Sequence, residues 1–99
     1  MRYLFLLNPT AGKRDCTAEL APAIRAAAQR AGIPPEKGKV IVTRYAGHAR
    51  ELAAEAAHTA QADGEPVRIW TAGGDGTFNE ALTGAQGCSL AAVGCLPFG

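Results

Sequence analysis

Four apolar runs alternate with three stretches of helical period along the chain. Tyr3–Asn8 (YLFLLN) is apolar almost throughout, the pattern of a strand covered on both faces. Lys39–Arg44 (KVIVTR), Val67–Ala72 (VRIWTA) and the run SLAAVGCLP from Ser89 predict a second, third and fourth strand. Between the first two, Thr17–Ala31 places Leu20, Ile24 and Ala27/Ala28 at helical spacing and stops at Gly32, a C-cap residue. Pro22 removes a hydrogen bond from a helix interior, so the regular helix starts near Ala21 or its first turns are kinked. The linker GIPPEKG is too rich in proline for either regular state. Ala46–Ala62 predicts an amphipathic helix with Ala49, Leu52, Ala53, Ala56 and Ala57 inward and Glu51 and Glu55 outward. The third helix is expected from about Thr77 to Leu82.

This β-α-β-α-β-α-β order has connections long enough to cross over. It therefore predicts a three-layer α/β/α fold, a parallel sheet of about four strands with helices on its faces. Ligands in such sheets bind beyond the carboxyl ends of the strands. Three loops fall there: NPTAGK after the first strand, TRYAGHA after the second and GGDGTFNE after the third.

Composition narrows the class. The chain has 99 residues, 47% apolar and 19% charged, enough for one small globular domain and unlike a disordered chain. Net charge is +1, which supplies no general attraction to nucleic acid or anionic lipid. Three cysteines, Cys16, Cys88 and Cys95, show no CxxC spacing, so they indicate neither a disulfide framework nor a zinc site. They read as small buried hydrophobes in a reducing cytoplasm. The apolar run at the N-terminus is shorter than the roughly 7–15 residues of a signal-peptide core, and a buried strand fits it better.

The glycine-rich loop carries the most chemistry. Gly73, Gly74 and Gly76 keep Cβ atoms away from a ligand and let successive N–H groups face one concavity. The helix that follows adds free N–H donors and the positive end of its dipole. Asp75 suits a divalent metal, a ribose hydroxyl or a turn, but not bare phosphate. Thr77 and Asn79 offer neutral donors, and Thr77 equally suits an N-cap. A tight turn with an ordinary cap explains GGDG alone just as well. In NPTAGK, Asn8 ends a strand, Thr10 and the Ala11 and Gly12 amides can donate, and Lys13 adds charge; taken alone, an ordinary solvated loop explains this motif better. The loop is not a Walker A motif, because Leu7 and Arg14 stand where glycine and Ser/Thr are needed. Thr43 and Arg44 can face the same cleft, although Arg44 reads more simply as a solvated rim charge. His48 opens the second helix as a neutral, hydrogen-bonded residue, or less readily a base, and His58 is a surface residue. Trp70 reads as a core anchor, with adenine stacking as the lesser alternative. Glu80 is either a solvated acid at the helix start or part of a metal region with Asp75.

Taken in order, NPTAGK, the Thr43-to-His48-Ala49 spacing, GGDGTFNE and LPFG resemble the catalytic domain of the diacylglycerol kinase family, which sphingosine and ceramide kinases and bacterial lipid kinases share. NAD kinases carry GGDGT as well. The first-strand NPTAG and the Phe78-Asn79-Glu80 that follows point to the lipid-kinase branch. The resemblance implies an N-terminal α/β nucleotide-binding unit followed by a β-sandwich, with ATP and Mg²⁺ in the cleft between them. It implies nucleotide contacts from Asn8, Pro9, Thr10, Ala11, Gly12, Thr43, Gly73, Gly74, Asp75, Gly76, Thr77, Phe78 and Asn79. Asp75 is then the expected metal-region acid, with Glu80 in support and Lys13 as a variable positive rim. The acceptor would be diacylglycerol or a related lipid alcohol.

The chain stops at AAVGCLPFG, in a strand-then-turn pattern, and the TGND run expected after LPxG would begin beyond Gly99. The expectation is a nucleotide-binding part without the second domain and its base, so no catalytic base is assigned here. The fragment is then inactive alone and prone to self-association through an open strand edge. Membrane contact would come only through the missing part, of a cytoplasmic protein peripheral at the membrane. An NAD kinase-like enzyme and a stand-alone non-catalytic nucleotide-binding module are the alternatives.

Overall fold

The computed structural model describes residues 1–8 and 17–96, with side chains from residue 21 onward in the second segment. The elements are β1 (Arg2–Leu7), α1 (Thr17–Arg30), a 3₁₀ turn (Pro35–Lys37), β2 (Gly38–Val42), α2 (His48–Asp63), β3 (Val67–Ala72), α3 (Gly74–Ala85) and β4 (Ala91–Cys95). The strands form one parallel sheet in the order β2-β1-β3-β4. The chain moves one way across the sheet from β1 to β2 and the other way from β2 to β3. Right-handed crossovers then require α1 and α2 to lie on opposite faces, which gives three layers.

Side-chain alternation supplies both cores. Leu4, Leu6, Val67 and Ile69 pack under α2 and α3 against Ala49, Ala53, Ala57, Ala60, Ala81 and Ala85. Phe5, Leu7 and Ala72 face the other way, toward Ile24 of α1. Leu4 to Leu7 are therefore all buried, as their unbroken apolar run requires. Each of the fully buried Leu6, Leu7 and Ile69 contributes about 1.5–3 kcal/mol by leaving water. Alanines on α2 bring α3 so close that a Cβ on Gly84 would collide with the Arg50 carbonyl oxygen. Trp70 sits in the α1-side core, its ring against Gly94, where a Cβ would come within 2.5 Å of it. It is a core anchor, not a base-stacking residue of the cleft.

Several expectations are corrected. α1 starts at Thr17, as expected, and continues through Pro22, so of the two alternatives for that proline the later start near Ala21 is not taken. It ends as expected at Gly32 (φ 81°), with Ile33 N–H donating to Ala28 O and Gly32 N–H to Gln29 O, the two bonds of a Schellman motif. Of its inward set, Ile24 is buried, while Ala27 is exposed and Ala28 half-buried, because one helix covers this whole face of the sheet. The proline-rich linker holds a short 3₁₀ turn, with Pro34 and Pro35 at its start, where a missing N–H costs nothing. Cys95, expected to be buried, is exposed, because it ends an edge strand. Cys88 is half-buried, with its thiol 3.5 Å from Ala57 O, and Cys16 lies outside the described residues.

Candidate functional site

β1, β2 and β3 end level with one another. Leu7 is paired with Val42 on one side and with Ala72 on the other, so Asn8, Thr43 and Gly73 emerge side by side. Backbone bonds hold them there: Asn8 N–H donates to Ala72 O (2.9 Å) and Thr43 N–H to Leu7 O (2.8 Å). β1 and β3 are neighbours, yet the helices that follow them leave on opposite faces of the sheet. That is the switch point at which a doubly wound sheet opens a crevice. A cleft of about 450 Å³ lies there, bordered by Asn8 and Thr43, by Arg44, Tyr45 and Ala46, and by Gly73, Gly76, Thr77 and Glu80.

The glycine run differs from its expected form. α3 begins at Gly74, not near Thr77, so Asp75, Gly76 and Thr77 belong to its first turns. Glycine reads as a helix breaker in sequence. Here the packing of Ala81 and Ala85 under the sheet and the turn at Gly74 (φ 83°) override that propensity. Gly73 precedes the helix and provides no side-chain cap, so the first N–H groups of α3 have no partner within the helix. A Cβ on Gly73 would lie 2.6 Å from Asn8 Cβ and 2.8 Å from Thr77 Oγ1. Only glycine fits where the exits of β1 and β3 touch.

Thr77 is not an N-cap. It is buried, its hydroxyl donates to Gly73 O four residues back (3.3 Å), and it accepts from Asn8 Nδ2 (3.0 Å). Its proton is thus committed to the protein, and its work is to lock the first loop's origin to the third loop. Thr43 is also buried, with its hydroxyl turned to Leu7 O (3.3 Å), so toward the cleft it offers an acceptor and not a donor. Donors for an anion come from the backbone of α3. Gly74, Asp75, Gly76 and Asn79 are exposed around that end, and Phe78 is half-buried.

Glu80 has a role that its sequence position did not reveal. Its Oε2 accepts from Gly47 N–H (3.2 Å), the residue just before α2. The stretch Ala46-Gly47-His48 contains no Ser, Thr, Asp or Asn to cap that helix. A carboxylate from α3 supplies the acceptor and meets the positive end of the α2 dipole. The missing cap was the available signal; the partner 33 positions away was not readable.

The second loop is built around Tyr45. Its ring stacks on His48 (centroids 4.4 Å apart, planes at 16°), and its hydroxyl donates to Glu51 Oε2 (2.5 Å). That bond to a carboxylate holds the phenol above its ordinary value of 10. His48 Nδ1 accepts from Arg44 N–H (3.0 Å), so this nitrogen carries no proton in the bonded form. His48 is thereby a structural brace, and His58 is exposed on α2, as expected.

Pro9, Thr10, Ala11, Gly12 and Lys13 lie outside the described residues. Among the described residues, no three His, Cys, Asp or Glu side chains gather as a metal cluster. Magnesium on a nucleotide needs no such cage, since one or two carboxylates and the phosphates hold it. Exposed Asp75, on the first turn of α3, fits that donor set.

A parallel sheet opened at its switch point, with a glycine-lined helix start facing the opening, defines a doubly wound domain of the phosphate-handling kind. The model of the diacylglycerol kinase catalytic domain matches residues 2–99, and the chain belongs to that family. No curated protein matches it.

Proposed function

We propose that this chain is the nucleotide-binding part of an ATP- and Mg²⁺-dependent lipid kinase acting on diacylglycerol or a related lipid alcohol. The observation that carries the reading is Gly73: the crossing of two strand exits leaves no room for a Cβ and exposes the uncapped start of α3 to a 450 Å³ cleft. The amides of Gly74, Asp75 and Gly76 bind phosphate oxygens, with the α3 dipole in support. Asn8, through Thr77, keeps the floor of that seat rigid. Thr43 accepts a hydrogen bond from the nucleotide, and Asp75 holds Mg²⁺, which when bound offsets the phosphate charge. Phosphoryl transfer needs mainly such holding and in-line placement of the acceptor hydroxyl. The family resemblance puts the base for that hydroxyl in a following β-sandwich domain. In this reading the protein is cytoplasmic and peripheral at the membrane; no described helix is long and apolar enough to cross one.

The test is phosphate transfer by the protein carrying this domain, with labelled ATP, Mg²⁺ and either diacylglycerol micelles or NAD. Transfer to the lipid is expected, with a loss on Asp75→Ala on the order of a hundredfold or more. Residues 1–99 alone are expected to bind ATP without transferring phosphate. Transfer to NAD instead, or full activity of the Asp75 variant, would sink the proposal.

A further inference from the structure

Tyr45 is an aromatic ring that the fold holds still without burying. It is 55% exposed, the most exposed large hydrophobic side chain among the described residues, although its loop lies between a buried Thr43 and a buried Ala49. An exposed tyrosine on a loop ordinarily samples several rotamers, and fixing one costs entropy. Three contacts fix this one. His48 covers one face of the ring, Glu51 accepts the hydroxyl proton, and His48 is itself tied through Nδ1 to the Arg44 amide. None of these contacts buries the opposite face. Tyr45 borders the same cleft as Gly73 and Gly76, whereas His48 does not. The rim of the phosphate seat thus presents a rigid, flat, uncovered π surface one loop away from the anion donors.

We propose that Tyr45 is the platform on which the base of the bound nucleotide stacks, with His48 and Glu51 as positioning residues that hold the ring flat. This inference rests on the nucleotide reading of the cleft and adds where the base lies. The chemistry favours a nucleobase because its π face stacks on a tyrosine ring irrespective of its hydrogen-bonding edge. A purine, with two fused rings, covers more of the ring than a pyrimidine does. Phosphate oxygens gain nothing from such a surface, so the two ends of the cleft sort the two ends of a nucleotide. Preorganising the ring before binding removes an ordering cost that an unbraced side chain would impose on the complex.

The experiment is calorimetric binding of two probes, ATP and inorganic triphosphate, to the full chain and to Tyr45→Ala and Tyr45→Phe. Tyr45→Ala is expected to weaken ATP about tenfold or more, the range of one base–aromatic stack, while triphosphate binds as before. Unchanged triphosphate affinity also shows that the variant is folded. Tyr45→Phe keeps the ring and loses only the Glu51 bond, so its ATP affinity should lie between those of the parent and of Tyr45→Ala. Tyr45→Trp should bind ATP at least as well, and its added emission should quench with ATP but not with triphosphate. ATP affinity unaltered by Tyr45→Ala overturns the proposal, as does an equal loss for both probes or a Tyr45→Phe variant as weak as the alanine. A parent chain that binds both probes equally tightly overturns the base platform alone. One that binds neither overturns the nucleotide reading and this inference with it.

Discussion

The two ends of this sheet solve opposite problems with different chemistry. At the amino end, side-chain charges close on one another. Glu65 takes Lys37 Nζ at 2.7 Å, Arg2 Nε at 3.1 Å and the Met1 ammonium at 3.1 Å, while Arg2 also reaches Asp63 at 2.7 Å. At the carboxyl end the cleft is bordered by Asn8, Thr43 and Thr77, whose side chains bond within the protein, by Glu80, which caps α2, and by Arg44, Tyr45 and the uncapped start of α3. An end that satisfies its charges internally has little to offer a ligand. An end whose helix starts without a cap retains donors for one.

Substitution at Gly73 should break this contrast most severely. In Gly73→Ala the new methyl must displace Asn8 or Thr77, and the strand exits it separates are the walls of the seat. Overpacking of this kind costs about 1–3 kcal/mol, measurable by urea denaturation. Binding of ATP and triphosphate should fall together, because the seat itself is deformed. A variant that keeps both affinities would show that the cradle is not where phosphate sits.

Glu80 sharpens the comparison, since it is a cleft carboxylate that already has a partner. Glu80→Ala leaves the Gly47 N–H without its acceptor and should cost about 1–3 kcal/mol. Glu80→Gln retains an acceptor oxygen and should recover most of that stability. If Glu80 ties α2 to α3, Glu80→Gln also keeps the Mg²⁺ dependence of ATP binding. A Glu80→Gln variant that is stable but has lost the Mg²⁺ response would return this residue to the metal.

The smallest expected effect lies at the closed end. The hydrogen bond from Lys37, then that from the N-terminal ammonium, lowers the Glu65 carboxyl from 4.5 to about 2. A carboxyl that binds its proton more weakly when folded contributes stability that is complete above its unfolded value of 4.5. That contribution is lost as pH falls through about 2. Thermal unfolding followed from pH 6 down to pH 2 should show this acid loss, and Glu65→Gln should flatten it. The network is surface-exposed, so high salt should shrink the effect. ATP affinity should not respond to Glu65→Gln at all. A response there would mean that the two ends are coupled.

Much of the fold was legible because it depends on local periodicity. β3 was predicted at Val67–Ala72 and lies there. β1, expected over Tyr3–Asn8, is shifted by one residue to Arg2–Leu7, which leaves Asn8 just beyond the strand end. The inward alanines of α2 and the Gly32 cap follow from spacing and from the αL preference of glycine. Element boundaries set by packing were not legible. The start of α3 at Gly74 needs the buried Ala81 and Ala85 to outweigh glycine's poor helix propensity, and no window around the glycines contains that information. Neither the Glu80–Gly47 bond nor the alignment of Tyr45 on His48 beside the cleft can be inferred from residues read in order.

By itself, the amino-acid order determined a parallel α/β/α sheet, three loops on one edge and glycines in the third of them, because strand period, crossover length and backbone freedom are local properties. Tertiary structure decided the strand order β2-β1-β3-β4, and with it that the crevice opens between the ends of β1 and β3. It also decided which polar groups remain available to a ligand. Thr77, read as a donor, and Thr43, read as facing the cleft, spend their protons on Gly73 and Leu7 carbonyls, while the amides of α3 remain. Whether a donor is free depends on what packs beside it: the end of the neighbouring strand for Thr43, and the carbonyl four residues back for Thr77.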